Sequence, residues 1–154
     1  MIEYILAENI DAYEKAKQLF QEYADYINID LKFQKFDEEL ENLPVMYGAQ
    51  NGGIILCKQD VRYIGCIAIR KIDDDTCELK RMYVRSTYRE KGVGKNLLLN
   101  AIKLAQQLNY KKVRLDTLDY MTPAIRLYEE CGFRKTAPYY HNPNTTAVFF
   151  EKSL

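Results

Sequence analysis

The stretch from Thr76 to Leu108 constrains this chain most, because it reads in one order only: strand, glycine turn, helix. Cys77 to Val84 ends in Met82, Tyr83 and Val84, residues that suit a pleated, half-buried strand. From Lys95 to Leu108, apolar residues at 97, 98, 101, 102, 105 and 108 recur at the three-and-four spacing of one buried helical face. Between the two lies Arg89-Glu90-Lys91-Gly92-Val93-Gly94. The first turn of a helix carries amides with no internal acceptor, and the helix dipole makes that end partly positive. Gly92 and Gly94 have no Cβ, so a ligand can approach the backbone there. The junction therefore reads as a phosphate cradle.

Charge supports an anion. From Glu78 to Lys95 there are six basic residues against two acidic ones. The whole chain balances 22 basic against 22 acidic residues, so the excess is local. That suits a small polyphosphate rather than a nucleic acid, which needs a broad basic face. The dinucleotide fingerprint fails, because Leu97 stands where its third glycine belongs. The Walker A pattern fails as well, because Gly94-Lys95 is followed by Asn96 and its first glycine would be Arg89.

What remains, Arg89-x-x-Gly92-x-Gly94, resembles the acyl-CoA-binding motif of the GNAT superfamily of N-acetyltransferases. Downstream, Ala124-Ile125-Arg126-Leu127-Tyr128-Glu129-Glu130-Cys131-Gly132-Phe133 resembles that family's second signature. The resemblance implies an α/β (α+β) fold. Its centre would be a mixed, mostly antiparallel sheet of about six to seven strands with one splayed parallel pair, flanked by about four helices. It implies transfer of an acetyl group from acetyl-CoA to a primary amine of a small molecule or a peptide, without a metal. The alternative is a non-catalytic acyl-CoA-binding or sensing module.

Residue by residue, the resemblance places Met82, Tyr83 and Val84 along the pantetheine arm. It places Arg89, Glu90, Lys91, Gly92, Val93, Gly94 and Lys95 around the pyrophosphate, chiefly the amides of Arg89, Gly92, Gly94 and Lys95. Tyr128 matches the tyrosine that protonates the leaving thiolate in many members. Glu78 resembles in position a general base of some members, and equally reads as a salt-bridged strand carboxylate beside Lys80 and Arg81. His141, the sole histidine, sits in a loop that could reach the acceptor, or is simply exposed. Where many members have an Asn that touches the pantetheine, this chain has Met121.

At 154 residues the chain has the length of one domain, expected over 1–154. Met1 to Ile10 lacks the apolar segment of a signal peptide, and no run is long enough to span a membrane. The four cysteines, Cys57, Cys66, Cys77 and Cys131, show no metal spacing and read as free thiols, so a cytoplasmic protein is expected. No nucleic-acid or membrane partner is expected. The family resemblance admits a homodimer.

The remaining elements follow from patterning. A strand is expected at Ile2–Ala7, then a helix capped by Asp11 and running to Ile27. A second helix is expected from Asp30 to Leu43, around Phe33, Phe36, Leu40 and Leu43, stopped by Pro44. Strands at 54–58, 63–71 and 77–84 should form an antiparallel meander. The helix after them should cross over to a parallel strand at Lys112–Thr117. A helix capped by Thr122 should end at Gly132, before strands at 133–136 and 147–152. The resemblance makes the two early helices one wall of the acceptor site.

Overall fold

The computed structural model describes residues 1–154 apart from the side chain of Phe33. Strands β1 (Ile2–Leu6), β2 (Gly53–Gln59), β3 (Arg62–Lys71) and β4 (Thr76–Val84) pair antiparallel in sequence, the expected meander. Helix α4 (Val93–Gln107) then carries the chain to β5 (Lys112–Leu118), which pairs parallel with β4. Helix α5 (Thr122–Glu130) and the short β6 (Arg134–Thr136) follow. The last strand, β7 (Ala147–Ser153), inserts between β5 and β6, closing a seven-stranded sheet of order β1-β2-β3-β4-β5-β7-β6. β4–β5 is its one parallel pair.

Both faces of the sheet are covered, which explains why β2 and β3 read as continuous apolar runs. On one face, Ile55, Cys57, Ile67 and Leu79 pack against Leu97, Leu98 and Ala101 of α4. On the other, Ile54, Leu56, Cys66 and Ala68 meet Ala16, Leu19 and Phe20 of α1 (Ile10–Ile27). The cysteines of β2, β3 and β4 are buried and free, and Cys131 is free and partly buried. Among the described residues, no helix is long and apolar enough to cross a membrane.

Three boundaries differ from expectation. Asn9, not Asp11, caps α1: its Oδ1 accepts the Ala12 amide at 2.9 Å. Asp11 instead sits in the first turn, where its charge faces the positive helix end. The expected second helix is broken. A turn of 3-10 helix at Lys32–Gln34 is followed by Lys35 at φ 54, then α2 (Phe36–Glu41) and α3 (Leu43–Met46). Pro44 begins α3 rather than ending α2, since its missing N–H costs nothing in a first turn. Among the described residues the helices therefore number five, in keeping with the expected sheet flanked by about four. Phe33, expected on that helix's apolar face, lies outside the described side chains.

At α5, Met121 holds the cap position and Thr122 is already helical. Gly132, at φ 93, ends α5 as a C-terminal glycine should. Its amide donates to the Glu129 carbonyl at 3.1 Å, and that of Phe133 to Tyr128 at 2.9 Å.

Candidate active site

β4 and β5 pair only at Thr76–Lys112, Cys77–Val113 and Glu78–Arg114. Beyond those pairs the strands part, and a cleft opens between them. Leu79 to Met82 line it from β4, Asp116 to Leu118 from β5, Tyr128 from α5 and Tyr23 from α1.

The parting coincides with a bulge in β4. Cys66 of β3 faces Tyr83 and Ala68 faces Lys80, so Ile67 alone opposes Arg81 and Met82. Arg81 adopts φ 60, a left-handed conformation that costs a non-glycine residue about 1–2 kcal/mol. The surroundings hold it there. Its guanidinium donates to both oxygens of Glu39 on α2, at 2.7 and 3.0 Å, and lies over the Phe36 ring at 5.1 Å. Glu39 and Arg81 are 1% and 4% exposed, so each is the other's counter-ion away from water. Burial works against the Glu39 carboxylate, yet the Arg81 hydrogen bonds and charge hold its pKa below the usual range.

The bulge turns Lys80 and Arg81 toward the same layer of helices. Lys80 Nζ lies 3.4 Å from Gln34 Oε1 and 3.8 Å from Glu78 Oε1. Burial, then the Arg81 charge, pushes the Lys80 ammonium down to about 8, with Glu78 opposing.

Beyond the bulge the backbone alternates. The amide of Arg85 donates to Ile64 on β3 at 2.9 Å, so Tyr83, two residues earlier, also faces β3. Met82 and Val84 then direct their amides toward β5, where the ladder has stopped. Of the three residues expected along the pantetheine arm, two present amides to the open side. Tyr83 instead sends its side chain toward α1, its hydroxyl 3.4 Å from Glu22.

Gly92 occupies the N-cap of α4 at φ 79, and no side chain caps the helix. A Cβ on Gly92 would meet nothing within 4 Å, so its left-handed backbone serves an open approach rather than a packed contact. A Cβ on Gly94 would lie 3.3 Å from Leu127, where α5 closes on α4. Val93 is buried and anchors the turn, while Glu90, Lys91 and Lys95 are exposed.

The local positive excess is largely spent. Arg81 pairs with Glu39, Arg85 with Glu22 at 2.6 Å, and Lys80 stands near Glu78. Arg89 donates Nε to the Val84 carbonyl at 2.7 Å and stacks on Tyr26 at 4.2 Å, and its amide reaches Ser86 at 3.3 Å. Arg89, Lys91 and Lys95, among the described basic residues of this stretch, have no acidic partner, and of these Arg89 is held by a carbonyl and an aromatic ring. The partners of Arg81 and Arg85 come from α2 and α1, far away in sequence.

Tyr128 lines the cleft and packs on Phe133 and Phe150 at 5.8 and 6.3 Å. Burial drives its phenol pKa well up, so the hydroxyl keeps its proton at neutral pH. Glu78 is 3% exposed and fully engaged. Oε1 accepts from Arg70 at 2.9 Å and Oε2 from the Tyr139 hydroxyl at 2.6 Å. Of its two sequence readings, the geometry matches the ion-paired carboxylate. His141 is exposed. The residues beside it turn inward instead: the Tyr140 hydroxyl and the Asn142 amide reach Asp116 Oδ2, at 2.5 and 2.9 Å. Met121 lines the cleft.

Asp116 and Gln34 were not singled out in the sequence, whereas Tyr140 and Asn142 fall in Pro138-Tyr-Tyr-His-Asn-Pro, a stretch that reads as a rigid, aromatic-lined rim suited to a small amine or amino-acid-like acceptor. Asp116 offered one signal, a carboxylate in the strand expected to part from β4. The rest meet only through tertiary folding.

Comparison with known proteins agrees with this architecture. The profile of the Acetyltransferase (GNAT) family matches residues 13–133. An uncharacterized N-acetyltransferase of Schizosaccharomyces pombe is 37% identical over 140 residues, covering 90% of this chain and 86% of its own. A GNAT-family acetyltransferase of Staphylococcus aureus superposes with a TM-score of 0.82 at 24% identity, covering 99% of both chains. A GNAT-family acetyltransferase of Elizabethkingia anophelis, solved with acetyl-CoA bound, gives 0.69 at 22% identity, covering 99% of this chain and 98% of that one.

Proposed function

This chain belongs to the GNAT acetyltransferase family and is an acyltransferase; we propose that it moves an acetyl group from acetyl-CoA to the primary amine of a small molecule or a peptide. The observation that carries this reading is the presence of three features in and after the parted strand β4. These are the uncapped start of α4, the open amides of Met82 and Val84, and the Tyr128 hydroxyl on the same cleft.

The residues present fit the cofactor. The empty space over Gly92 and the unpartnered first turn of α4 suit a pyrophosphate, with Lys91 and Lys95 alongside. Acetyl-CoA supplies an activated acetyl thioester.

The chain supplies the rest. The amides of Met82 and Val84 offer donors where negative charge develops on the carbonyl oxygen. Tyr128 holds a proton at its hydroxyl for the departing sulfur. The amine must arrive neutral. A lysine-like amine is neutral about one part in a thousand near pH 7.4, a deficit of roughly 4 kcal/mol. We assign Glu78 to holding Arg70 and Tyr139 rather than to removing that proton, because both its oxygens are already bonded.

A thermal-shift titration with acetyl-CoA tests the cradle. Saturation at 100 times Kd adds about 2.7 kcal/mol. Thiol release over a panel of amines tests the transfer. A shift without release from any amine would favour an acyl-CoA-binding module, and no shift would remove the reading.

A further inference from the structure

The cleft holds two charges of opposite sign that are incompletely matched: Lys80 has only a long contact to a carboxylate that Arg70 already holds, and Asp116 has no cation partner among the described residues. Arg81 is matched by Glu39, and Glu78 by Arg70. Removing these pairs leaves Lys80 on β4 and Asp116 on β5, both lining the cleft on opposite sides of the parted strands. Lys80 has only the Gln34 carbonyl oxygen at 3.4 Å and an already engaged Glu78 at 3.8 Å. Asp116 has no cation within salt-bridge distance among the described residues. Its two bonds come from neutral donors, and both end on Oδ2. Oδ1 accepts no bond, and no fully buried side-chain oxygen in the described residues lacks a partner. Oδ1 is therefore open to the cleft that Asp116 lines.

Lys80 and Asp116 do not satisfy each other directly. Gln34 and Tyr140 stand between them: Lys80 reaches Gln34 Oε1, Gln34 Nε2 donates to the Tyr140 hydroxyl at 2.9 Å, and that hydroxyl donates to Asp116. This chain of bonds fixes a positive and a negative end at a set separation. A ligand with one charge would satisfy one end and leave the other desolvated without a counter-ion, which is costly. A dipolar ligand satisfies both.

The same chain of bonds limits size. The Gln34–Tyr140 bond joins the turn after α1 to the loop before β7. That bond narrows one side of the cleft, which favours a small acceptor over a long peptide.

Resting on the acetyltransferase reading above, we propose that the acceptor is a small zwitterion carrying both an amine and a carboxylate, of the α-amino-acid class. Its ammonium docks on Asp116 Oδ1 and its carboxylate on Lys80. Asp116 then orients the amine, and Lys80 selects for the acid. One ammonium proton leaves to solvent by way of Asp116, and the neutral nitrogen bonds the acetyl carbon as the C–S bond breaks. Tyr128 protonates the departing sulfur, and the second nitrogen proton restores Tyr128. The burial that pushes the Lys80 ammonium toward neutrality is offset once a carboxylate lies beside it.

Thiol release from acetyl-CoA is measured with the twenty standard amino acids. For the best acceptor, its primary amide and its decarboxylated amine are measured as well. Both analogues are expected to lose at least tenfold in kcat/KM. In Lys80→Met that preference should shrink to within about threefold, while acetyl-CoA still raises the melting temperature. Asp116→Asn should raise KM for the amino acid and leave acetyl-CoA binding unchanged. Equal use of the decarboxylated amine by the wild-type protein would overturn the proposal while upholding acetyl transfer. So would an undiminished preference in Lys80→Met. Release with no amino acid, from a protein that acetyl-CoA still stabilises, would also overturn it.

Discussion

Gly92 to Lys95 and Lys80 to Arg81 belong to the same strand–turn–helix unit, yet the fold builds them in opposite ways. The cradle is made of backbone. Its donors are the first amides of α4, and the left-handed Gly92 at its N-cap costs little because glycine has no Cβ, although Glu90 in the turn before it also adopts φ 64. The cleft is made of side chains. Arg81 adopts the same left-handed region with a full side chain, and needs Glu39, Phe36 and Tyr23 from α1 and α2 to stay there. A backbone site needs its neighbours only for packing, whereas a side-chain site needs its neighbours to exist at all.

The sharpest way to break that contrast is Glu39→Ala. It strands a buried guanidinium and should cost about 3–5 kcal/mol in urea unfolding. A loss below 1 kcal/mol would show that the bulge stands without α2. Gly92→Val should act in reverse. The left-handed position costs about 1–2 kcal/mol in stability, but the new side chain fills the open approach to the helix start. CoA affinity should fall at least 100-fold, read by calorimetry, and affinity within threefold of wild type would sink the cradle assignment.

Tyr128→Phe separates chemistry from packing. No hydrogen bond holds the Tyr128 hydroxyl among the described residues, so melting should not change while kcat falls about 100-fold. Unchanged turnover would remove its acid role.

Lys80 gives a smaller effect confined by pH. Its folded pKa, about 8, lies below the ordinary 10.5. Between those values the unfolded chain binds more protons, so stability rises with pH through that window. Charged groups facing it are Arg81, Glu78, Glu39 and Arg70. Relative to Lys80→Met, the wild type should gain on the order of 1–2 kcal/mol from pH 8 to 10. A flat difference would mean that Lys80 is solvated. The smallest effect belongs to Glu22→Ala. Its pair with Arg85 is about one-third exposed on both sides, so it should cost under about 1 kcal/mol. A larger loss would extend the cleft's dependence on α1 to the end of β4.

The same contrast explains what could be read without a structure. The order of strands, the crossover to β5 and the position of Gly92 are consequences of short-range patterns. The charge balance was not legible. Arg81 and Arg85 counted as free positive charge in sequence, and their partners Glu39 and Glu22 lie on helices that periodicity alone could not orient. The break at Lys35 escaped for a similar reason, since apolar spacing is satisfied equally by one helix or by two short ones. Asp116 became distinctive only when Tyr140 and Asn142 arrived from a loop that sequence had marked for its aromatic rim and its histidine.

The Arg81 bulge also bears on how such a protein changes its preferences over generations. The segment that walls the cleft, from α1 to α2, is the natural place to alter acceptor choice. In this chain that segment also carries Glu39, the clamp on the strand geometry at the parting of β4 and β5. Exchanging it for the corresponding segment of a relative without that carboxylate would retool the pocket and unlatch the bulge together. Chimeras that keep the Glu39–Arg81 pair are therefore the ones expected to keep the strand geometry at the parting of β4 and β5.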